Sequence, residues 1–172
     1  MAIRTLNGKT PRIHHTAFIS EAAYVVGDVE IGEGSSVWPG AVVRADSGSI
    51  VIGKRTCIQD NSVVHGDADV AIGDDVVIGH RVLCHAKTVG SGTLLGNGCV
   101  VNDGVVIGAE SLIGAGAMVV DGMEIPPRSV AVGVPARVRR PLTDDDLARI
   151  KTYRDIYIRN TATYKREGLE SR

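Results

Sequence analysis

The sequence has few aromatic residues and no excess of either charge. Its aromatics are one Trp, one Phe and four Tyr, and 19 Lys and Arg stand against 20 Asp and Glu. A protein that binds nucleic acid or an anionic membrane is expected to carry a basic excess on one face, so neither partner is predicted. No apolar run is long enough to span a membrane, and residues 1–4 lack the apolar core of a signal peptide. We therefore expect a cytoplasmic protein.

Disulfide bonds and a cysteine-based zinc motif are also missing. The cysteines, Cys57, Cys84 and Cys99, are odd in number, and no two of them are close in sequence. They offer neither a disulfide framework nor a zinc-knuckle spacing, so we expect reduced thiols.

The chain is rich in β-branched residues and in glycine. It contains 24 Val, 15 Ile and 21 Gly in 172 residues. Branched side chains fit a pleated surface and disfavour helix, and glycine permits tight turns. The composition predicts short strands joined at many corners.

An apolar residue recurs every six positions over more than a hundred residues. The positions are Ile13, Ile19, Val25, Ile31, Val37 and Val43, then Ile52, Ile58 and Val64, then Ile72, Ile78 and Cys84, and finally Val89, Leu95, Val101, Ile107, Ile113, Val119 and Ile125. No two-residue hairpin signal or helical stretch separates them, which excludes an ordinary sandwich or βαβ fold. The repeat predicts an all-β solenoid, a parallel β-helix of about seven coils with three flat faces and about 18 residues per coil.

The irregularities of the repeat lie at one corner of this solenoid. We define face one as the face that carries Ile52, face two as the one that carries Ile58, and face three as the one that carries Val64. From the last inward residue of one coil to the first of the next, the spacing is nine, eight and five residues in three successive connections, instead of six. All three connections run from face three to face one. Loops that collect on one edge of a solenoid indicate a functional edge.

The repeat ends near residue 126, and a helix follows. Thr143 is the expected N-cap, with acidic residues in the first turn and Leu142 packed against Leu147. The pattern predicts a β-helix domain over residues 1–140 and a C-terminal α-helix and tail over 141–172. We expect the helix to reach about Lys165 and to pack on one face, and the tail beyond Arg166 to fray.

Two histidines occupy one column on face three. His65 follows Val64 and His85 follows Cys84, so their Cα atoms should be about 4.8 Å apart on adjacent coils. Arg44 and Asn102 continue this polar column on either side. Two imidazoles stacked in this way can share a metal, although a solvated surface position is the commoner place for a single histidine.

His80 projects from face two, with Gln59 and Asp60 near the equivalent place one coil earlier. It cannot easily reach a metal held by His65 and His85 of its own chain, but a second copy packed against face three could supply it. Three copies around a threefold axis would then form three such sites. Three neutral imidazoles with open positions are typical of a hydrolytic or hydrating zinc centre.

The sequence resembles the gamma-class carbonic anhydrase family of left-handed β-helix proteins. The segments that carry the resemblance are Arg44-Ala45-Asp46, Ile58-Gln59-Asp60-Asn61, Val64-His65, Ile78-Gly79-His80, Leu83-Cys84-His85 and Gly133-Val134-Pro135-Ala136, with the C-terminal helix. The resemblance covers essentially the whole chain and implies the left hand of the coil. It also implies reversible hydration of carbon dioxide to bicarbonate by a zinc-bound hydroxide.

The resemblance further implies roles for individual residues. His65 and His85 of one chain and His80 of its neighbour would bind Zn²⁺, or Fe²⁺ or Co²⁺, at each interface of a homotrimer. Arg44 and Asp46 would form a structural ion pair at or near that interface. The remaining residues that the resemblance places at the site are Gln59 and Asp60, which would border it, with Gln59 positioning the hydroxide. Tyr157 of the helix is a further candidate for the pocket, with helix packing as its alternative role.

The chain departs from the family prototype in its proton-shuttle loop. Ser47 follows Asp46 where the prototype continues with glutamate, the loop after His65 is only residues 66–70, and Cys57 replaces an asparagine. Two alternatives to carbon dioxide hydration therefore stay open. One is a CoA-dependent acyltransferase or a metal-assisted thioesterase on the same solenoid, and the other is a non-catalytic metal-binding trimer.

Overall fold

The computed structural model describes residues 2–171 and consists of a β-solenoid with one long helix. The strands in chain order are β1 (Ile3–Arg4), β2 (Arg12–Ile13), β3 (Phe18–Ile19), β4 (Tyr24–Ile31), β5 (Ser36–Val37), β6 (Val42–Ile52), β7 (Cys57–Ile58), β8 (Val63–His65), β9 (Val70–Ile72), β10 (Val77–Ile78), β11 (Leu83–Cys84), β12 (Thr88–Val89), β13 (Leu94–Leu95), β14 (Val100–Val101), β15 (Val106–Ile107), β16 (Leu112–Ile113), β17 (Met118–Val119), β18 (Glu124–Ile125), β19 (Ser129–Val132) and β20 (Arg137–Pro141). Helix α1 spans Asp144–Arg166. The proposed domain boundary after residue 140 stays a prediction.

Successive coils pair in parallel and in the register that the hexapeptide spacing predicts. Face two is an eight-stranded sheet in the order β20-β19-β16-β13-β10-β7-β5-β3, in which only the β19–β20 pair is antiparallel. Faces one and three join in a 12-stranded sheet, because β4 and β6 continue through the irregular corner. The predicted solenoid of about seven coils is confirmed, and it matches a left-handed hexapeptide β-helix.

Aliphatic side chains fill the interior, and the large aromatic rings lie outside it. Ile52, Ile58 and Val64 are almost fully buried, as are their counterparts on the other coils. Phe18 and Trp38 are also buried, but each lies next to an inward-pointing residue and is directed outwards. Their ring centroids lie 5.9 and 4.9 Å from that of Tyr164 in α1. The aromatic residues therefore attach the helix to face two, where there is room for rings.

The helix begins as the sequence predicts. Thr143 caps it by accepting a hydrogen bond from the Asp146 backbone N–H, and the Asp146 carboxylate accepts one from the Thr143 backbone. From there α1 runs back along face two towards the first coils, where the Lys165 ammonium donates to the Ala17 carbonyl at 2.8 Å. This placement brings Tyr157 to the middle of the solenoid.

The expectation that the tail frays is wrong. The Ser171 N–H donates to the Ile19 carbonyl at 2.7 Å, and Glu170 forms an isolated bridge with Ser20. The Glu170 carboxylate also pairs with the Lys165 ammonium at 3.1 Å. The tail is ordered because the first coil leaves backbone groups that it can satisfy. Among residues 2–171, no helix combines the length and hydropathy needed to cross a membrane.

Candidate metal centre

The two histidines of face three lie side by side. Val64 pairs with Cys84, so the following residues, His65 and His85, are neighbours on adjacent coils. Their ring centroids are 4.7 Å apart, and Nδ1 of His65 is 2.8 Å from Nε2 of His85. Arg44 pairs with His65 on the other side, as the predicted column requires. Asn102 follows Val101, the partner of Cys84, and continues the column past His85.

Each of these imidazoles is anchored by a carboxylate at its other nitrogen. Nε2 of His65 lies 2.8 Å from Oδ1 of Asp46, and Nδ1 of His85 lies 2.9 Å from Oδ1 of Asp103. Asp46 is in turn paired with Arg44. The hydrogen bond from His65 and the charge of Arg44 together hold the pKa of Asp46 below its usual value.

The anchors determine what the two facing nitrogens can do. A carboxylate only accepts hydrogen bonds, so the single proton of each neutral imidazole lies on the nitrogen that faces Asp46 or Asp103. The nitrogens that face each other then both carry lone pairs, at 2.8 Å. Two such lone pairs repel unless a shared proton or a metal cation lies between them. A metal-ligating histidine ordinarily donates its other N–H to a carboxylate, so the arrangement fits a metal ion.

His80 on face two also lies beside a carboxylate, within ion-pair distance. Its Nδ1 lies 3.2 Å from Oδ2 of Asp60, and its Nε2 lies 3.2 Å from the Tyr157 hydroxyl. Burial raises the pKa of Tyr157 to about 12, so the phenol is protonated near neutral pH and donates to Nε2. This hydrogen bond from the phenol places the lone pair of His80 on Nε2.

A cavity of about 410 Å³ opens beside His80. Gln59 lines it and is buried, with its amide nitrogen 3.9 Å from Sγ of Cys57. Leu94, Leu112 and Tyr157 form much of the remaining wall. Gln59 thus shares a cavity with His80 and lies on a different face from the pair of His65 and His85.

One chain by itself does not bring the three candidate histidines together. Within residues 2–171, no three His, Cys, Asp or Glu side chains converge in a way that could hold a metal. The three cysteines are buried, and burial raises the pKa of Cys84 to about 11 and that of Cys57 to about 12, so neither thiol supplies a thiolate. His14 and His15 are exposed on the first coil.

Asp103 is the one carboxylate of the three that the sequence analysis missed. Val101 pairs with Cys84, and Asp103 stands two residues after Val101. His85 follows Cys84 directly. The register that predicts the histidine column therefore also puts an acid beside His85. The short connection after Cys84 draws attention to the corner but does not indicate which way the carboxylate of Asp103 turns.

A partly exposed apolar column runs beside the histidine pair on face three. Its members pair in register on successive coils and are Tyr24, Val42, Val63, Leu83, Val100 and Met118. Tyr24 is 43% exposed, Leu83 39% and Met118 36%. Such a column is a candidate contact surface for another protein chain.

Known proteins resemble this chain over most of its length. Residues 87–121 match the bacterial transferase hexapeptide family (six repeats). The chain is 41% identical to a carbonic anhydrase of Geobacillus kaustophilus over 92% of this chain and 88% of that protein. It is 42% identical to a "Probable carbonic anhydrase" of Methanocaldococcus jannaschii, over 84% and 92%.

A solved structure shares the fold closely. It is a hexapeptide transferase family protein from Anaplasma phagocytophilum, with a TM-score of 0.91 and 34% identity over 95% of this chain and 98% of that one. The long alignment to carbonic anhydrases, together with the solenoid and its histidine–aspartate pairs, places the sequence among them. The chain belongs to the gamma-class carbonic anhydrase family of hexapeptide-repeat proteins.

Proposed function

We propose that this protein interconverts carbon dioxide and bicarbonate at a metal site shared between two subunits of a homotrimer. His65 and His85 of one subunit and His80 of the next would hold Zn²⁺, with Fe²⁺ or Co²⁺ compatible with the same ligands. The metal would supply a water whose pKa is lowered to about 7, and so a hydroxide near neutral pH. The relatives that align with this chain over most of its length are named carbonic anhydrases, which supports this reaction.

The observation that carries the proposal is the three aspartate–histidine pairs. Asp46 and Asp103 are each hydrogen-bonded to one ring nitrogen of a histidine, at 2.8 and 2.9 Å, and Asp60 lies 3.2 Å from Nδ1 of His80. Each ring then has one lone pair for a metal, that of His80 being occupied by the Tyr157 hydroxyl in the single chain, and three imidazole lone pairs are the ligand set of a hydrating zinc centre.

A homotrimer is supported by where the apolar surface lies. The partly exposed column of face three adjoins His65 and His85, whereas His80 lies on face two, where Leu94 and Leu112 already pack against the buried cluster that includes Ile150 of α1. Packing face three of one copy against the part of face two that carries His80, beside α1, would bury the column and unite the two halves of the centre. Arg44 and Asn102 belong to the same column as His65 and His85, so this packing would also bring them to the interface.

The remaining residues are proposed to handle the substrate. Carbon dioxide is small and uncharged, and the cavity beside His80 has apolar walls formed by Leu94 and Leu112. The buried amide of Gln59 lines the same cavity and can orient a reacting oxygen, while Asp60 holds His80. Tyr157, with its protonated hydroxyl, offers a hydrogen-bond donor at this edge of the site.

Metal analysis, native mass and activity together test the proposal. We expect one metal per chain, a native mass three times 18.1 kDa, and carbon dioxide hydration that disappears on chelation and returns with zinc, or with iron or cobalt under anaerobic conditions. His14→Ala is the control, because His14 is exposed and remote in register. A metal-free monomer would contradict the shared centre. A hydration rate no higher than that of His65→Ala for every metal would contradict the enzymatic activity.

Tyr157→Phe separates the tyrosine's contact with His80 from its catalytic role. In the single chain the hydroxyl occupies Nε2 of His80, so it competes with a metal for that lone pair. Such a hydrogen bond is worth about 0.5–1.5 kcal/mol, so its loss is expected to raise zinc affinity by about two- to twelvefold. We expect kcat to fall while zinc binding persists, as measured by chelator competition and stopped-flow hydration. Weaker zinc binding in Tyr157→Phe would contradict this assignment.

Acyl transfer from a CoA thioester is a second candidate. The Anaplasma structure is described as a hexapeptide transferase, and a histidine held by a carboxylate can also serve as a general base. Acyl-CoA turnover that survives complete removal of metal would favour this candidate. Turnover that depends on metal would favour metal-assisted thioester hydrolysis. A trimer that binds metal but turns over neither substrate class would be a metal-binding scaffold.

A further inference from the structure

Asp103 makes a contact with His85 that the family resemblance does not assign. Its Oδ1 lies 2.9 Å from Nδ1 of His85. The side chain of Asp103 is 58% exposed, and that of His85 is 22% exposed. Within residues 2–171, His85 is the one side chain within hydrogen-bond or ion-pair distance of the Asp103 carboxylate. The carboxylate is therefore not engaged in a lysine or arginine ion pair of the kind common on surfaces.

The backbone holds Asp103 in place for this contact. Its carbonyl accepts a hydrogen bond from the Gly122 N–H at 2.8 Å, and the preceding Asn102 N–H donates to the Val119 carbonyl at 3.0 Å. The His85 N–H donates to the Val101 carbonyl at 2.8 Å. Both side chains thus extend from backbone that is fixed by the solenoid ladder, so their separation does not depend on a mobile loop.

We propose that Asp103 is a positioning residue that sets the tautomer of His85 for metal binding. By accepting from Nδ1–H, the carboxylate keeps the lone pair of His85 on Nε2, the nitrogen that faces His65. Without this anchor the ring can carry its proton on Nε2 and rotate about its side-chain bonds. The metal would then have to displace that proton and fix the ring orientation. The inference rests on the proposed metal centre and adds a residue to it.

The sequence offers a matched control. Val101 pairs with Val119, so Asp121 occupies the position of Asp103 one coil further along the solenoid. Asp121 is exposed, and the residue that corresponds to His85 on the coil before it is Asn102, so its register neighbour is not a histidine. A general effect of removing a surface carboxylate from this corner will appear in both variants. An effect on the metal centre will appear only in the Asp103 variant.

Zinc affinity and the His85 tautomer are the two readouts. Zinc binding is measured by chelator competition in wild type, Asp103→Ala, Asp103→Asn and Asp121→Ala. The tautomer is read from imidazole ¹⁵N shifts of the metal-free proteins at alkaline pH, where imidazoles are neutral, with the His85 signal assigned by its absence in His85→Ala. We expect Asp103→Ala to weaken zinc binding about 10- to 100-fold and to shift His85 towards the Nε2–H form. Asp103→Asn keeps an accepting oxygen and should lie between Asp103→Ala and wild type, and Asp121→Ala should match wild type.

The two readouts separate this inference from the proposed function. Wild-type affinity and tautomer in Asp103→Ala would overturn the role of Asp103, and so would a loss of zinc affinity without a change of tautomer. Failure of the wild-type protein to bind zinc would overturn the metal centre itself, and with it the positioning role. In that case the tautomer would still report whether the contact orients His85.

Discussion

Replacing His80 by alanine is expected to remove the bound metal and the hydration activity, although His80 lies on a different face from His65 and His85. The proposed centre takes its third ligand from a neighbouring subunit, so the loss affects a site built mainly on another chain. The metal is worth several kcal/mol of transition-state stabilisation, so we expect the rate to fall by about a thousandfold or more. Stopped-flow hydration and metal analysis of the purified variant measure both effects.

Mixing two inactive variants tests the sharing of the site directly. A His80→Ala chain keeps His65 and His85, and a His65→Ala chain keeps His80. In any mixed trimer one of the three interfaces joins two intact halves. With equal expression about three quarters of the trimers are mixed, so metal content and activity should recover to about a quarter of wild type.

A second mixture provides the control for this recovery. His65→Ala and His85→Ala damage the same half of the centre, so no arrangement of these chains restores an intact half. Coexpression of this pair should recover nothing. Recovery in both mixtures would indicate that the ligands are not divided between subunits in this way. Absence of recovery in the first mixture, when mixed trimers are present by mass, would contradict the shared centre.

The hexapeptide register accounts for how much of the site could be predicted from the sequence. A period of six fixes which residues point inward and which residues stack, so it predicts that His65 lies between Arg44 and His85. The same period identifies the corner where β6 passes continuously from face three to face one. Regular backbone pairing determines these features, and the pairing is visible as spacing.

Features that depend on side-chain direction or on helix docking were not predictable in this way. The repeat does not determine how α1 lies across face two, because the contacts of Phe18 and Trp38 with Tyr164 are made outside the ladder. The distance between Tyr157 and His80 follows from that docking. The position of the C-terminal tail against Ile19 is likewise set by long-range contacts that have no period.

Gly27→Ala is expected to produce the largest loss of stability among the glycine replacements in the irregular corner. Gly27 lies in β4 opposite Ala45 of β6 and has a φ of +89°. A Cβ atom there would lie 1.9 Å from the Ala45 carbonyl oxygen and 2.8 Å from its carbonyl carbon, so the backbone of β6 has to move. Left-handed strain and overpacking together predict a loss of about 2–5 kcal/mol in the free energy of unfolding.

Gly116→Ala isolates the conformational part of this effect. Gly116 has a φ of +67° with nothing within 4 Å of an added Cβ, so it should lose only about 1–2 kcal/mol from strain. Denaturant unfolding at fixed protein concentration compares the two variants. Ala45 stands between Arg44 and Asp46, so a shift of β6 also moves the carboxylate that anchors His65, and Gly27→Ala should weaken zinc binding where Gly116→Ala does not. Equal stability and equal zinc affinity in the two variants would show that the corner accommodates the methyl group without disturbing the centre.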